Sequence, residues 1–379
     1  MGSEMCIRDS GTYVVTPAAP TGTTQTATVV YTQGSSNGPI DDLVVSLETF
    51  DDNLVEGDED YAISIGNLTS SADPQVSIDS AADTVMTTIV DNDTANFTLS
   101  QSSTSVDEGN AVTFTLTLDG ADSGAGAAAV QTGNSASIDI DLALLGPTSL
   151  NDFDENSDQT VNETNPLYLA IVDAVNDFNT TGGFTPGGPG SFEVVATATG
   201  ATVTFNGDST QTAPSLAIEL NTFEDDGNAQ GSGALQHLAN FVEPDENFEV
   251  SISDPRFDGD AAPPQTEITS DNTTLTTTIV DDNTLVINIV PVQDASEGFD
   301  GSQTAEGEIN GLFEITLSNP SQNEIQVNVT DGIGNPLISS GTAESGGVAP
   351  GEDDYENFSS STVTFFAGDQ SENLSLIHI

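Results

Sequence analysis

Along most of the chain apolar and polar residues alternate over short runs: VTFTLTL at 112–118, LVVSLETF at 43–50, YAISI at 61–65 and FEVSI at 248–252. A period of two in Val, Ile, Thr and Phe puts one apolar face on an extended segment, so each run predicts a half-buried strand. Gly, Asp, Asn and Pro cluster between the runs and supply the turns. Seven or so such strands in roughly 100 residues predict two antiparallel sheets packed face to face. The period changes once. NPLYLAIVDAVNDF at 165–178 offers an Asn cap, Pro at the first helical position, and Leu167, Ile171, Val175 and Phe178 at helical spacing, which predicts a short helix on the sandwich. The Gly/Pro-rich 180–191 reads as an irregular loop, and 234–241 as one further helical turn.

The runs recur in order. TTIVDND at 87–93 returns as TTIVDDN at 277–283, SLETFDD at 46–52 parallels ELNTFEDD at 219–226, and EGDEDYAISI at 56–65 parallels EPDENFEVSI at 243–252. A second set links the later copy to the C-terminal part. DEGNAVTFTLTL at 107–118 is echoed by SEG at 296–298 with LFEITLS at 312–318, NDF at 151–153 by DDY at 353–355, and TVTFNGD at 202–208 by TVTFFAGD at 362–369. Internal repetition therefore predicts three units. Residues 11–93 keep only the second half of a repeat, and 284–373 only the first half. Residues 94–283 hold a complete copy with insertions near 155–200 and 227–242.

Charge narrows the function. Sixty-one acidic residues against two arginines give a formal net charge of −59 in 379 residues. A surface that neutralises phosphates needs Lys and Arg, so nucleic acid is excluded as a partner. Such a chain repels itself unless its carboxylates bind cations or sit in strong salt, where the Debye length falls to roughly 3 Å near 1 M. No apolar run reaches the ~20 residues that span a bilayer, so no membrane insertion is expected. Residues 1–10 and 374–379 hold both Cys6 and His378 and stand apart in composition. Back-translated, MCIRDS and LSLIHI resemble the end of a transposase sequencing adapter, so 11–373 is the expected authentic span. That span has no cysteine, which removes disulfides and thiolate metal sites.

Taken in order, EG, DY or DF, TVTF with GD, DD with VEGDE, and a closing IVDND resemble the Calx-beta domain over nearly all of 11–373. The resemblance implies tandem immunoglobulin-like antiparallel β-sandwiches that bind calcium at one end through loop carboxylates. Calcium is a hard cation taking six to eight oxygen ligands, so carboxylates must converge from several loops. Carried over by position, the complete unit supplies Glu108, Asp152 with Asp154, Asp225, Asp226, Glu243 with Glu246, Asp281 and Asp282. The first unit supplies Asp51, Asp52, Glu56, Glu59, Asp91 and Asp93, and the third supplies Glu297, Asp353 and Asp354. Calcium is the one cofactor expected.

Other chemistries fit less well. Residues 152–163 space Asp152, Asp154, Asn156 and Glu163 as an EF-hand loop would, yet Ser157 stands where that loop needs Gly. His237 has no paired nucleophile, and paired acids such as Asp51 and Asp52 lack the aromatic platforms of a glycosidase, Trp being absent. No enzyme is expected. The expected whole is part of a secreted or cell-surface bacterial protein, acting as a calcium-stiffened stalk or adhesin whose other regions meet surface glycans or proteins. A calcium-sensing regulatory module and an accessory region of a secreted enzyme are its rivals.

Overall fold

The computed structural model describes residues 11–19, 25–34, 40, 42–70, 76–122, 126–148, 150–153, 165–223, 242–257, 268–294, 312–329, 361–369 and 371–375. The chain is all-β with one α-helix among these residues. Residues 1–51 and 52–379 form two compact units.

In the first of these, β1 (Gly11–Pro17) and β2 (Ala27–Gln33) pair as an antiparallel hairpin in which Tyr13 faces Tyr31. Residues 42–50 carry the LVVSLETF alternation yet form no strand. The expectation of a strand there is corrected by pairing. Alternation makes a segment competent for a sheet, but a strand exists only where a neighbour takes its backbone hydrogen bonds.

The second unit begins with β3 (Leu54–Val55), followed by an antiparallel pair, β4 (Glu59–Ser64) and β5 (Thr84–Ile89). A full sandwich then occupies residues 94–280. Its strands are β6 (Thr94–Gln101), β7 (Ser105–Asp107), β8 (Ala111–Ala121), β9 (Ala129–Val130), β10 (Ser135–Leu145), β11 (Phe192–Ala196), β12 (Gly200–Asn206), β13 (Ser215–Asn221), β14 (Glu246–Phe257), β15 (Ile268–Asp271) and β16 (Thr274–Val280). Four strands in the order β13-β8-β6-β15 make one sheet, and six in the order β11-β12-β10-β14-β16-β7 make the other.

The chain leaves β6 in one sheet and re-enters at β7 in the other, where β7 runs parallel to β16. That switch of the first strand between sheets, with antiparallel pairing elsewhere in the six-stranded sheet, is an immunoglobulin-like arrangement. Inward residues alternate along every long strand. Phe97, Phe114, Ile138, Ile140, Phe205, Ile218, Phe248 and Val250 are fully buried.

The predicted helix is α1 (Pro166–Gly182), longer than expected because Thr180 to Gly182 join it rather than the loop. Asn165 Oδ1 accepts from the Tyr168 N–H at 3.0 Å and caps the helix. Gly183 closes it in the left-handed region at φ 73°. The helix buries Leu167, Ile171 and Val175 and packs on β11, β12 and β13. Strands β11 and β13 are outer edges of the two sheets, so α1 closes one open side of the sandwich. Close packing there admits no side chain at Gly200, whose Cβ would lie 1.9 Å from the Ile140 carbonyl. The further helical turn expected at 234–241 lies outside the described residues.

The last strands are β17 (Ile287–Gln293), β18 (Leu312–Leu317), β19 (Ile325–Val329), β20 (Ser361–Phe365) and β21 (Ser371–Ser375). They form a three-stranded sheet, β17-β18-β21, and a pair, β19-β20. Strand β21 runs two residues past the expected boundary at 373, with Leu374 opposite Phe313.

The repeats share register as well as sequence. Glu59 faces Ile89 and Tyr61 faces Thr87, as Glu246 faces Ile279 and Phe248 faces Thr277. Ile287 faces Leu317 as Phe97 faces Leu118. Even the hairpin of the first unit has its counterpart. Tyr13 and Tyr31 sit 5.0 Å apart at 47°, and Phe192 and Phe205 5.2 Å apart at 54°.

Candidate metal centre

Among the described residues, the acidic motifs around Glu108, Asp152, Glu246 and Asp281 gather at one end of the sandwich, and the backbone brings them there. Glu108 follows β7, and its N–H donates to the Val280 carbonyl, one residue before Asp281. The Gly109 N–H donates to the Phe223 carbonyl, and the Phe223 N–H to that of Asp152. Asp152 closes a short 3-10 turn, Leu150–Asp152, and the next residue fixes it in place. Phe153 is fully buried with its ring 5.1 Å from Phe248 at 80°, so the aromatic of the NDF motif anchors its aspartate at the rim of the core.

Glu246 explains itself by strand parity. It is the first residue of β14, whose inward positions run Glu246, Phe248, Val250 and Ile252. A carboxyl at an inward position has to be buried, and Glu246 is only 5% exposed. Its carboxyl shares a hydrogen bond with that of Asp152. Burial first, then this bond and the Asp152 and Glu243 charges, push Glu246 up to about 8. Two carboxyls in contact at the edge of an apolar core hold a proton between them unless a cation replaces it.

Asp281 organises the loop beside them. One of its carboxylate oxygens accepts the Glu243 N–H, and the other accepts the Asn283 N–H at 2.7 Å. The equivalent in the first repeat is closer still to a full nest. Asp91 Oδ2 accepts the Glu56 and Gly57 N–H groups, each at 2.8 Å, and Oδ1 accepts the Asp93 N–H at 2.9 Å. Burial, then the charges of Asp52, Glu59, Asp91 and Asp93, raise the Glu56 carboxyl above its ordinary value. Of the two aspartates in DND, then, the first braces the acidic loop through its backbone, and Asp93 itself is buried.

The expected ligands thus separate. Asp152, Glu243 and Glu246 act on one another, with Asp281 and Glu108 tied to the same end. Asp52, Glu56, Glu59, Asp91 and Asp93 act on one another in the first repeat. Asp282 and Asp51 are exposed. Asp225, Asp226, Asp154, Glu297, Asp353 and Asp354 lie outside the described residues. All the donors are carboxylates, which suits a hard dication and no soft metal. Among the described residues no three of the acids stand close enough to hold an ion. The fit to calcium is therefore one of donor chemistry and loop convergence.

Two glutamines that motif reading overlooks complete the picture. Strand β3, just before Glu56, pairs in parallel with β9, and the Gln131 N–H donates to the Val55 carbonyl at 3.0 Å. The Gln131 side chain then donates to Glu56 Oε2 at 2.8 Å. The same device recurs one repeat later. Val242 bridges Ser321, the Gln322 N–H donates to the Val242 carbonyl at 3.1 Å, and the Gln322 side chain donates to Glu243 Oε1 at 3.2 Å. Each acidic loop is held by a glutamine of the following repeat. Gly207 serves this contact, because a Cβ there would lie 2.2 Å from the Gln131 carbonyl.

No family model and no curated protein matches the chain. Among solved structures, it is similar to the type II cohesin dyad from the adaptor ScaA scaffoldin of Acetivibrio cellulolyticus, at 11% identity over 62% of this chain and 61% of that one, with a TM-score of 0.23. It is also similar to Salmonella alpha-2-macroglobulin reacted with methylamine, at 11% identity over 98% of this chain and 19% of that one, with a TM-score of 0.20. At these TM-scores neither likeness bears on function.

Proposed function

We propose that the chain is a calcium-binding tandem β-sandwich region of a secreted or cell-surface bacterial protein, stiffened by cations into a stalk or adhesin. The observation that carries this reading is Glu246, a carboxyl buried at an inward strand position against Asp152. Left ionised without a cation, that pair opposes folding, and a divalent ion reverses the sign of its contribution. Glu246 and Asp152 would give the ion its first carboxylate oxygens, with Asp281 shaping the neighbouring loop; the ion supplies the positive charge that this chain almost wholly lacks. The Calx-beta resemblance and the net charge of −59 point the same way.

A stalk is favoured over a sensor by the glutamine contacts. Because Gln131 holds Glu56 and Gln322 holds Glu243, the acidic loops are already committed to the next repeat. Binding then tightens an existing junction. The test is calorimetric melting of the full chain in excess EDTA, calcium or magnesium. Calcium at a hundredfold excess over its Kd raises stability by about 2.7 kcal/mol. An unchanged melting temperature and hydrodynamic radius in calcium would refute the reading, and Glu246→Gln separates a specific site from general charge screening by abolishing the calcium increment alone.

A further inference from the structure

On the side of the complete sandwich away from α1, the first and last segments of the repeat lie together. Strand β15 pairs in parallel with β6, from Ile268 opposite Ala95 to Asp271 opposite Thr98. Strand β16 pairs in parallel with β7, from Thr278 opposite Ser105 to Val280 opposite Asp107. In both stretches the partners are separated along the chain by the same number of residues, so the two form one seam in one register. The seam changes sheets midway. There β6 hands over to β7 across residues 102–104, and β15 to β16 across 272–273.

The strand ladder lapses at that crossing, and a glutamine spans it. Gln101 Nε2 donates to the Thr276 carbonyl at 3.1 Å, and Gln101 Oε1 accepts from the hydroxyl of fully buried Thr277 at 3.2 Å. Nearer the start Asn96 works in the same way. Its Nδ2 donates to Asp271 Oδ2 at 3.0 Å and its Oδ1 accepts the Thr269 hydroxyl at 2.8 Å. Past the crossing, the Thr278 N–H donates to the Thr104 carbonyl at 3.0 Å and the Glu108 N–H to the Val280 carbonyl at 3.2 Å.

A pull along the chain enters this repeat at the start of β6 and leaves it at the end of β16, since β5 and β17 lie just outside those points. In a parallel pair the start of one strand and the end of the other are opposite ends of the seam. Tension therefore slides one strand past the other and loads every rung together, whereas a pull at one end would open the rungs in turn. We propose that the seam is a force-bearing clamp, held in shear when tension passes through the array, with Gln101 as its central staple. The inference rests on the stalk reading for the source of the tension. It needs no cation, so the clamp and the calcium site fail separately.

The experiment is optical-tweezer unfolding of the full chain in excess EDTA, tethered by its ends. The event from residues 94–280 is recognised by the length of chain it releases, at roughly 3.5 Å per residue. A second tether attaches through Asp107→Cys and Thr284→Cys in a Cys6→Ser background, two exposed positions beside the same end of the seam. The end-tethered repeat should withstand at least about twice the force of the side-tethered one at the same loading rate. At a fixed force between the ends, Gln101→Ala should unfold about fivefold faster, the rate equivalent of one net hydrogen bond. Ile138→Val, on β10 with β14 between it and the seam, should lower the melting temperature yet leave that rate in place, because its contacts persist while the seam yields. The main melting transition is the folding control for every variant. Equal forces in the two geometries, or a Gln101→Ala rate no faster than that of Ile138→Val, would each overturn the proposal.

Discussion

Ile63 and Val250 hold the same place in the same motif, on strands paired in the same register, and differ in what faces them. Val250 is fully buried beneath an opposing sheet and Ile63 is 42% exposed. The contrast deepens upstream. Phe223 is 8% exposed, and Phe50, its counterpart in the same TF motif, is 93% exposed in a segment without any strand. Pairing between near neighbours such as β4 and β5 survives alone, whereas burial requires the strands that a whole repeat provides.

The largest test of this comparison is a pair of truncations at equivalent rings. Phe248→Ala should lower the stability of the main urea transition by about 3–5 kcal/mol, because it empties space shared with Phe114 and Phe153. Tyr61→Ala should shift that transition by no more than about 0.5 kcal/mol. Equal costs would dissolve the distinction.

Next comes pH. Glu246 has a folded-state value of about 8 against an ordinary 4.5. The folded chain then holds more protons than the unfolded chain in that window, so stability in EDTA falls as pH rises from about 4.5 to 8. The loss is a few kcal/mol, about 1.4 kcal/mol per pH unit lessened by solvent screening at the rim, followed by denaturant midpoints across the window. Glu246→Gln should flatten the slope, whereas Glu59→Gln, at the exposed counterpart, should leave it in place.

Two smaller effects probe the junction. Val55→Ala should cost the main sandwich about 2 kcal/mol, since Val55 lies in that core although the preceding repeat supplies it. Differential scanning calorimetry would read this as a lowered main transition. Gln131→Ala should cost about 1 kcal/mol and loosen Glu56, detectable as faster amide exchange at Glu56 and Gly57.

Much of this was legible in the residues. Alternation located β8, β14 and most other strands, and helical spacing located α1, because period and capping are local properties. The recurrence of EGDED as EPDEN brought Glu56 and Glu243 to equivalent positions. Other features depend on partners far along the chain. LVVSLETF alternates as well as LAIELNTF, yet only the latter has β8 beside it. Gln131 and Gln322 carry no charge and lie in dissimilar sequences, AAVQ and NPSQ, so nothing local marks them. The hairpin β1-β2 repeats β11-β12 through TYVV against SFEV, where only a ring and a valine survive. The role of Glu246 rested on parity, since counting inward from Ile252 puts a carboxyl in the core.

Val55 has a consequence for the order of events at synthesis. Strand β3 of one repeat completes the core of the next through Val55, so that strand docks only after its successor has been made. The array then behaves as a one-dimensional lattice with nearest-neighbour coupling, in which stability is relayed toward the N-terminus from each newly made repeat.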